Sequence, residues 1–114
     1  MARGEDTDSE VLVVLTTAPN VDDAERIARG LIESRHAACV NLLPGVRSFY
    51  RWKGAVEDEQ EIQLVIKTTG GCIEALETWI LEHHPYDVPE LLILSADGSD
   101  DYLRFVREAT APAR

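Results

Sequence analysis

The chain has 114 residues and carries 11 basic against 21 acidic side chains, for a formal net charge of -10 and a pI near 4.6. A domain of this size buries roughly two-thirds of its unfolded surface, enough for a core that needs neither disulfides nor a structural metal. An acidic surface repels phosphate backbones and anionic lipid, which argues against nucleic-acid and membrane partners. No apolar run approaches the ~20 residues that cross a bilayer.

Residues 1–10 are polar and acidic and read as a disordered leader. They lack the apolar middle of a signal peptide, which points to the cytoplasm and to Cys39 and Cys72 as free thiols. Val11–Leu15 is a β-branched apolar run expected to form a strand, ended by Ala18-Pro19-Asn20. Asn20 is placed to cap the next helix by accepting from the amide of Asp23, with Asp22 and Asp23 in the positive first turn. Val21, Ala24, Ile27, Ala28, Leu31 and Ile32 then fall on one helical face, with Asp22, Asp23, Glu25, Arg26 and Arg29 on the other.

His36–Leu43 reads as a second strand and Pro44-Gly45 as a bend or bulge. Beyond it Val46, Ser48, Tyr50 and Trp52 alternate with Arg47, Phe49, Arg51 and Lys53, so the strand continues to a turn at Lys53-Gly54-Ala55. Glu57, Glu59 and Glu61 alternate ahead of Ile62–Thr68, in which Ile62, Leu64 and Ile66 share a face. Residues 36–68 thus form one long antiparallel hairpin whose tip overshoots a small core.

Gly70-Gly71 breaks the strand. A second amphipathic helix follows with Cys72, Ile73, Leu76, Trp79, Ile80 and His83 on its buried side, and Pro85 stops it by forcing His84 out of helical geometry. Val88–Ser95 reads as a fourth strand, with Pro89 tolerated near its start. Asp97-Gly98-Ser99-Asp100 turns into a last helix from Asp101 to about Glu108, touching the core through Tyr102, Leu103 and Val106. Residues 11–109 form the single domain and 110–114 a frayed tail.

The order β-α-β-β-α-β-α predicts an α+β protein: a ferredoxin-like βαββαβ sandwich with a long β-hairpin and a short C-terminal helix. Both long helices then lie on one face of the sheet. Leu12, Val14, Leu42, Val65 and Leu92 cannot all point at them, so an apolar face is left uncovered. That face, and Phe49, Tyr50 and Trp52 near the hairpin tip, call for a homo-oligomer built from sheet faces and hairpin arms.

Ala37-Ala38-Cys39-Val40-Asn41, Pro44-Gly45, Ser48-x-Tyr50-x-Trp52-x-Gly54, Glu61, Lys67-Thr68, His84-Pro85-Tyr86, Pro89-Glu90 and Gly98-x-x-x-Tyr102-Leu103 occur in an order and spacing that resemble CutA, the divalent-cation tolerance family. The resemblance runs from about Val11 to Val106. It implies a ferredoxin-like fold in a tight homotrimer, similar in architecture to the PII signalling proteins. It also implies a cytoplasmic protein linked to tolerance of copper and other divalent metals, with no established reaction. Family members with a proposed copper site use a Cys at the end of the first strand and the paired histidines before Pro-Tyr. Here His83 and His84 are present, but Thr16 stands at the Cys position, which removes the soft ligand that favours Cu(I). Arg51, Lys53-Gly54-Ala55 and Phe105 also depart from the family pattern.

The residues themselves leave several readings open. On a continuous helix His83 and His84 diverge by roughly 100°, so a shared metal requires unwinding before Pro85. The competing reading packs one against the core and sets the other at the negative helix end. His36, Asp87 and Glu90 are candidate further ligands without diagnostic spacing. Cys39 reads as a small buried hydrophobe or as a reactive or metal-binding thiol. Cys72 reads as helix-start filler or a favoured thiolate. The run Glu57-Asp58-Glu59-Gln60-Glu61 either attracts divalent cations or is a solvated strand edge. Glu61, where the strand becomes buried, needs a counter-charge from Lys67, Arg47 or a neighbouring subunit.

Tyr50, Trp52 and Tyr86 are either the aromatic wall of a small-molecule cleft or oligomer anchors. With Glu61 and Lys67 they make up the expected inter-subunit cleft. No G-x-S-x-G, P-loop or HExxH signature is present. The resemblance, together with the uncovered sheet face, implies a non-enzymatic homotrimer acting in divalent-metal (copper) tolerance. It has no obligatory cofactor, and copper or another divalent cation is a weakly held candidate ligand. The alternative is a PII-like ligand-sensing or adaptor module that works through clefts between subunits.

Overall fold

The computed structural model describes residues 7–112. Its elements are β1 (Val11–Ala18), α1 (Val21–Glu33), β2 (Cys39–Trp52), β3 (Ala55–Thr69), a 3-10 turn (Gly70–Cys72), α2 (Ile73–His83), β4 (Leu92–Ser95) and α3 (Asp100–Ala109). The strands form one antiparallel sheet in the order β2-β3-β1-β4. Alternation along β1 and β3 sends Leu12, Val14, Ala18, Ile62, Leu64 and Ile66 to one face. There they are buried against Ala24, Ile27 and Leu31 of α1 and Ile73, Leu76 and Ile80 of α2. The odd-numbered positions face the other way. α3 covers one end of that second face, where Thr110 Oγ1 lies 3.4 Å from Thr69 Oγ1.

Local chemistry sets the element ends. Asn20 Oδ1 accepts from the amide of Asp23 at 2.8 Å and starts α1, as its cap position predicts. At the other end of α1, Arg35 takes a left-handed φ of 63°, and the amides of His36 and Ala37 both donate to Leu31 O. Those amides are used up by the helix end, so β2 begins at Cys39 rather than at the expected His36. Trp52 pairs with Ala55, which makes Lys53-Gly54 a two-residue turn with φ of 50° and 84°, the mirror-image turn that matches strand twist.

Other expectations are corrected. Of the leader, residues 1–6 lie outside the described residues, but Thr7–Glu10 are ordered. Gly70 and Gly71 donate to Glu10 O and Asp8 O, and Arg107 Nε donates to Ser9 O at 2.8 Å. The expected tail begins with a buried Thr110, whose hydroxyl donates to Val106 O. β4 spans only Leu92–Ser95, because Pro89 offers no amide to the ladder and β1 pairs only from Leu12 to Leu15. Of the expected α3 contacts only Val106 is buried; Tyr102 is exposed. His83, expected on the buried side of α2, is exposed.

One irregularity determines what the hairpin presents. Leu43 pairs with Gln63, but the next pair is Val46 with Glu61, so Pro44 and Gly45 together oppose Ile62. Gly45 holds a φ of 77° at this bulge. The extra residue switches the parity of β2. Before it Cys39, Asn41 and Leu43 share a face with Lys67, Val65 and Gln63; after it Val46, Ser48, Tyr50 and Trp52 join the same face, opposite Glu61, Glu59, Glu57 and Ala55. β1 pairs with β3 only as far as Ile62, so residues 46–61 form a two-stranded arm, roughly 23 Å long.

Candidate functional site

At the base of this arm a cleft of about 630 Å³ opens on the face away from α1 and α2. Ser48, Phe49, Tyr50 and Trp52 line it from β2, Glu61 from β3 and Thr17 from the end of β1. The connection from α2 to β4 closes the opposite wall with Pro85, Tyr86, Asp87, Val88 and Glu90.

His84 positions that connection. Pro85 forces it out of the helix to a ψ of 140°, and its side chain turns inward and is buried. Its Nε2 donates to Thr17 O at 2.7 Å, and its Nδ1 accepts from the Tyr86 amide at 3.1 Å. One acceptor and one donor fix the neutral Nε2–H tautomer and leave no lone pair for a metal. Tyr86 is thereby aimed across the cleft, where its hydroxyl donates to Glu61 Oε2 at 2.7 Å. Burial, then the bond to Glu61 and the carboxylate's charge, push the Tyr86 hydroxyl well above the ordinary tyrosine range. Tyr50 is raised too, first by desolvation and then by Glu59, Glu57 and Glu61, which marks the arm as negative on this side.

Glu61 is 7% exposed and has no cationic partner among the described residues. Neither expected counter-ion reaches it. Arg47 lies on the other face of the arm after the bulge and forms a two-point ion pair with Asp58, at 2.9 and 2.8 Å. Lys67 shares the face of Glu61 but stands six residues away on the same strand, roughly 20 Å. There its ammonium bonds Asn41 Oδ1 and lies 3.8 Å from Cys39 Sγ. Within one chain Tyr50, Trp52, Glu61 and Tyr86 come together and Lys67 does not, so a pairing of Lys67 with Glu61 would have to cross a subunit boundary.

His83 and His84 diverge. The His83 ring stacks on Trp79, with centroids 3.9 Å apart, and its Nδ1 donates to Trp79 O at 2.7 Å, which leaves Nε2 as its one free nitrogen. Arg26 caps the same helix end through His83 O at 2.8 Å. Thr16 sits in the helix-facing row with Val14 and Ala18, fully buried, and its Oγ1 has no hydrogen-bond partner. Among the described residues no three His, Cys, Asp or Glu side chains converge as a metal cluster. The donor set does not fit a tight divalent-metal centre, which needs several converging ligands with support behind each imidazole.

Cys39 is half-buried and unbonded to Cys72, and its sulfur lies 3.8 Å from Lys67 Nζ. Cys72 lies near Arg35 O and Thr110 O, a packing position between the end of α1 and the end of α3. Thr17 and Gln63 are the contributors that sequence reasoning missed. Gln63 Nε2 donates to Thr16 O at 2.7 Å and to Glu90 Oε2 at 3.2 Å, tying the loop carboxylate to the sheet. The signal for both is a polar side chain on the outward row of an otherwise apolar strand.

The fold and the cleft define a small α+β protein with a bare sheet face and an acidic, aromatic-walled groove. The family model described as CutA1 divalent ion tolerance protein matches residues 12–109. The divalent-cation tolerance protein CutA of Pectobacterium atrosepticum is 47% identical over 98 residues, covering 85% of this chain and 89% of its own length. The crystal structure of CutA from Xylella fastidiosa superposes with a TM-score of 0.87 at 39% identity, over 90% of this chain and 99% of that one. The structure described as the periplasmic divalent cation tolerance protein CutA of Archaeoglobus fulgidus gives 0.85 at 29% identity, over 89% and 99%. The chain belongs to the CutA1 divalent ion tolerance family. Among the described residues no helix is long and apolar enough to cross a membrane.

Proposed function

We propose that this protein acts without catalysis, as a homotrimer in the cytoplasm, in tolerance of divalent cations, copper among them. The observation that carries the assembly is the bare sheet face. Leu92 is 55% exposed and Leu94 50% exposed on β4, paired with Leu15 and Val13 of β1 on the face turned away from α1 and α2, an apolar surface that self-association would dry. The two thiols, unbonded to one another, suit a reducing compartment.

Metal affinity in this reading is modest, because His84 has both nitrogens engaged and, of the paired histidines, His83 alone keeps a free nitrogen, Nε2. Calorimetric titration of the metal-free protein with Cu(II) and Zn(II) tests it. The expected result is weak binding that His83→Ala abolishes and His84→Gln retains. Identical titrations for the protein and its His83→Ala variant would remove His83 as a ligand.

A second reading, ligand sensing or adaptor action through clefts at subunit boundaries in the manner of PII proteins, is favoured by the cleft beside Glu61. A thermal-shift screen across small metabolites tests it, and a flat response would count against it.

A further inference from the structure

We propose that the cleft receives a small organic cation, a primary ammonium or guanidinium group that docks on Glu61 while its carbon chain lies against Tyr50 and Trp52. This rests on the second reading, that the cleft is a ligand site, and names the chemistry of the ligand.

The buried carboxylate is the first argument. Glu61 is 7% exposed, with Oε2 engaged by Tyr86, while Oε1 has no hydrogen-bond partner among the described residues and is open to the cleft. A carboxylate in this setting favours a positive partner, and the described residues of its own chain supply none. The charge of the walls agrees. Glu61, Asp87 and Glu90 line the cleft and, among the described residues, no basic one does, which disfavours phosphate and carboxylate ligands.

Geometry then separates an organic cation from a metal ion. The acidic groups do not converge as a metal cluster. A space of about 630 Å³ is far larger than an ion needs but suits a molecule of several heavy atoms. Tyr50 and Trp52 offer aromatic faces, which attract ammonium and guanidinium groups and pack on methylene chains. Lys53 Nζ already lies 5.9 Å from the Trp52 ring centroid, so this aromatic carries a cation within the chain itself.

The test is calorimetry on the full-length assembled protein at physiological salt, with putrescine as the probe. ATP and citrate serve as anionic comparisons. Putrescine is expected to bind once per chain. Glu61→Gln, which keeps the side-chain shape and removes the charge, and Trp52→Ala, on the exposed arm, are each expected to weaken it about tenfold or more. If Glu61→Gln fails to fold by circular dichroism, Trp52→Ala decides. Absence of putrescine binding overturns the proposal, as does binding at several equivalents per chain that neither variant alters, which is diffuse attraction to an acidic surface. If ATP or citrate binds the cleft and putrescine does not, the organic-cation assignment fails while the ligand-site reading stands. If none of the three binds and the wider screen is flat, both fail.

Discussion

His84 Nε2 donates to the main-chain oxygen of Thr17 across 2.7 Å, linking the end of α2 to the end of β1 on the far side of the core. The same ring accepts from the Tyr86 amide, so one buried imidazole fixes both the sheet edge and the loop that walls the cleft. His84→Ala leaves a carbonyl and an amide without partners and is expected to cost about 1–3 kcal/mol, read by urea denaturation. His83→Ala loses a stacking contact on an exposed ring and is expected to cost less, about 1 kcal/mol or below. Equal losses would contradict the division of labour between the two histidines.

Thr16 Oγ1 is buried without a partner, in the row occupied by Val14 and Ala18. Thr16→Val keeps the shape and removes the stranded hydroxyl, so it is expected to stabilise the protein by about 1 kcal/mol. A lowered melting temperature would mean that the hydroxyl has a partner in the assembled protein.

The Tyr86 hydroxyl is raised, so folding favours its protonated form. The stability it contributes is fully present below the ordinary tyrosine value of 10.0 and is lost as pH rises through the folded value. Alkaline titration followed at the tyrosinate absorbance is expected to show a last component that Tyr86→Phe deletes. Tyr86→Phe is also expected to lower stability at neutral pH and to flatten its alkaline decline. A variant with the same alkaline profile would contradict the Glu61 bond.

Gly30 lets α1 meet α2. A Cβ built there would fall 2.2 Å from Trp79 Cζ2 and 2.5 Å from Cη2, well inside contact distance. Gly30→Ala is expected to cost about 1–3 kcal/mol despite the better helix propensity of alanine, because the indole is also pinned by its stack with His83. A stabilised variant would show that Trp79 moves freely.

Features written in short-range chemistry were legible in the sequence. The Asn20 cap, the Ala24/Ile27/Leu31 stripe and the Lys53-Gly54 turn each depend on residues within a few positions of one another. The cleft was legible only in part, because its membership depends on register. Counting the bulge at Gly45 is what moves Tyr50 and Trp52 onto the face of Glu61 and Arg47 off it. Lys67 reads as a partner for Glu61 by charge alone, and within one chain strand geometry carries it out of reach. The inward turn of His84 follows from Pro85, but its bond to Thr17 joins residues 67 positions apart and no local pattern encodes it.

The central claim is that the face carrying Leu92 and Leu94 is dry in the working protein because three copies of the chain share it. Sedimentation equilibrium of the purified protein at micromolar concentration addresses this directly. The account predicts a single species of about three times 12.7 kDa. A folded species of 12.7 kDa that persists across the concentration range would contradict it.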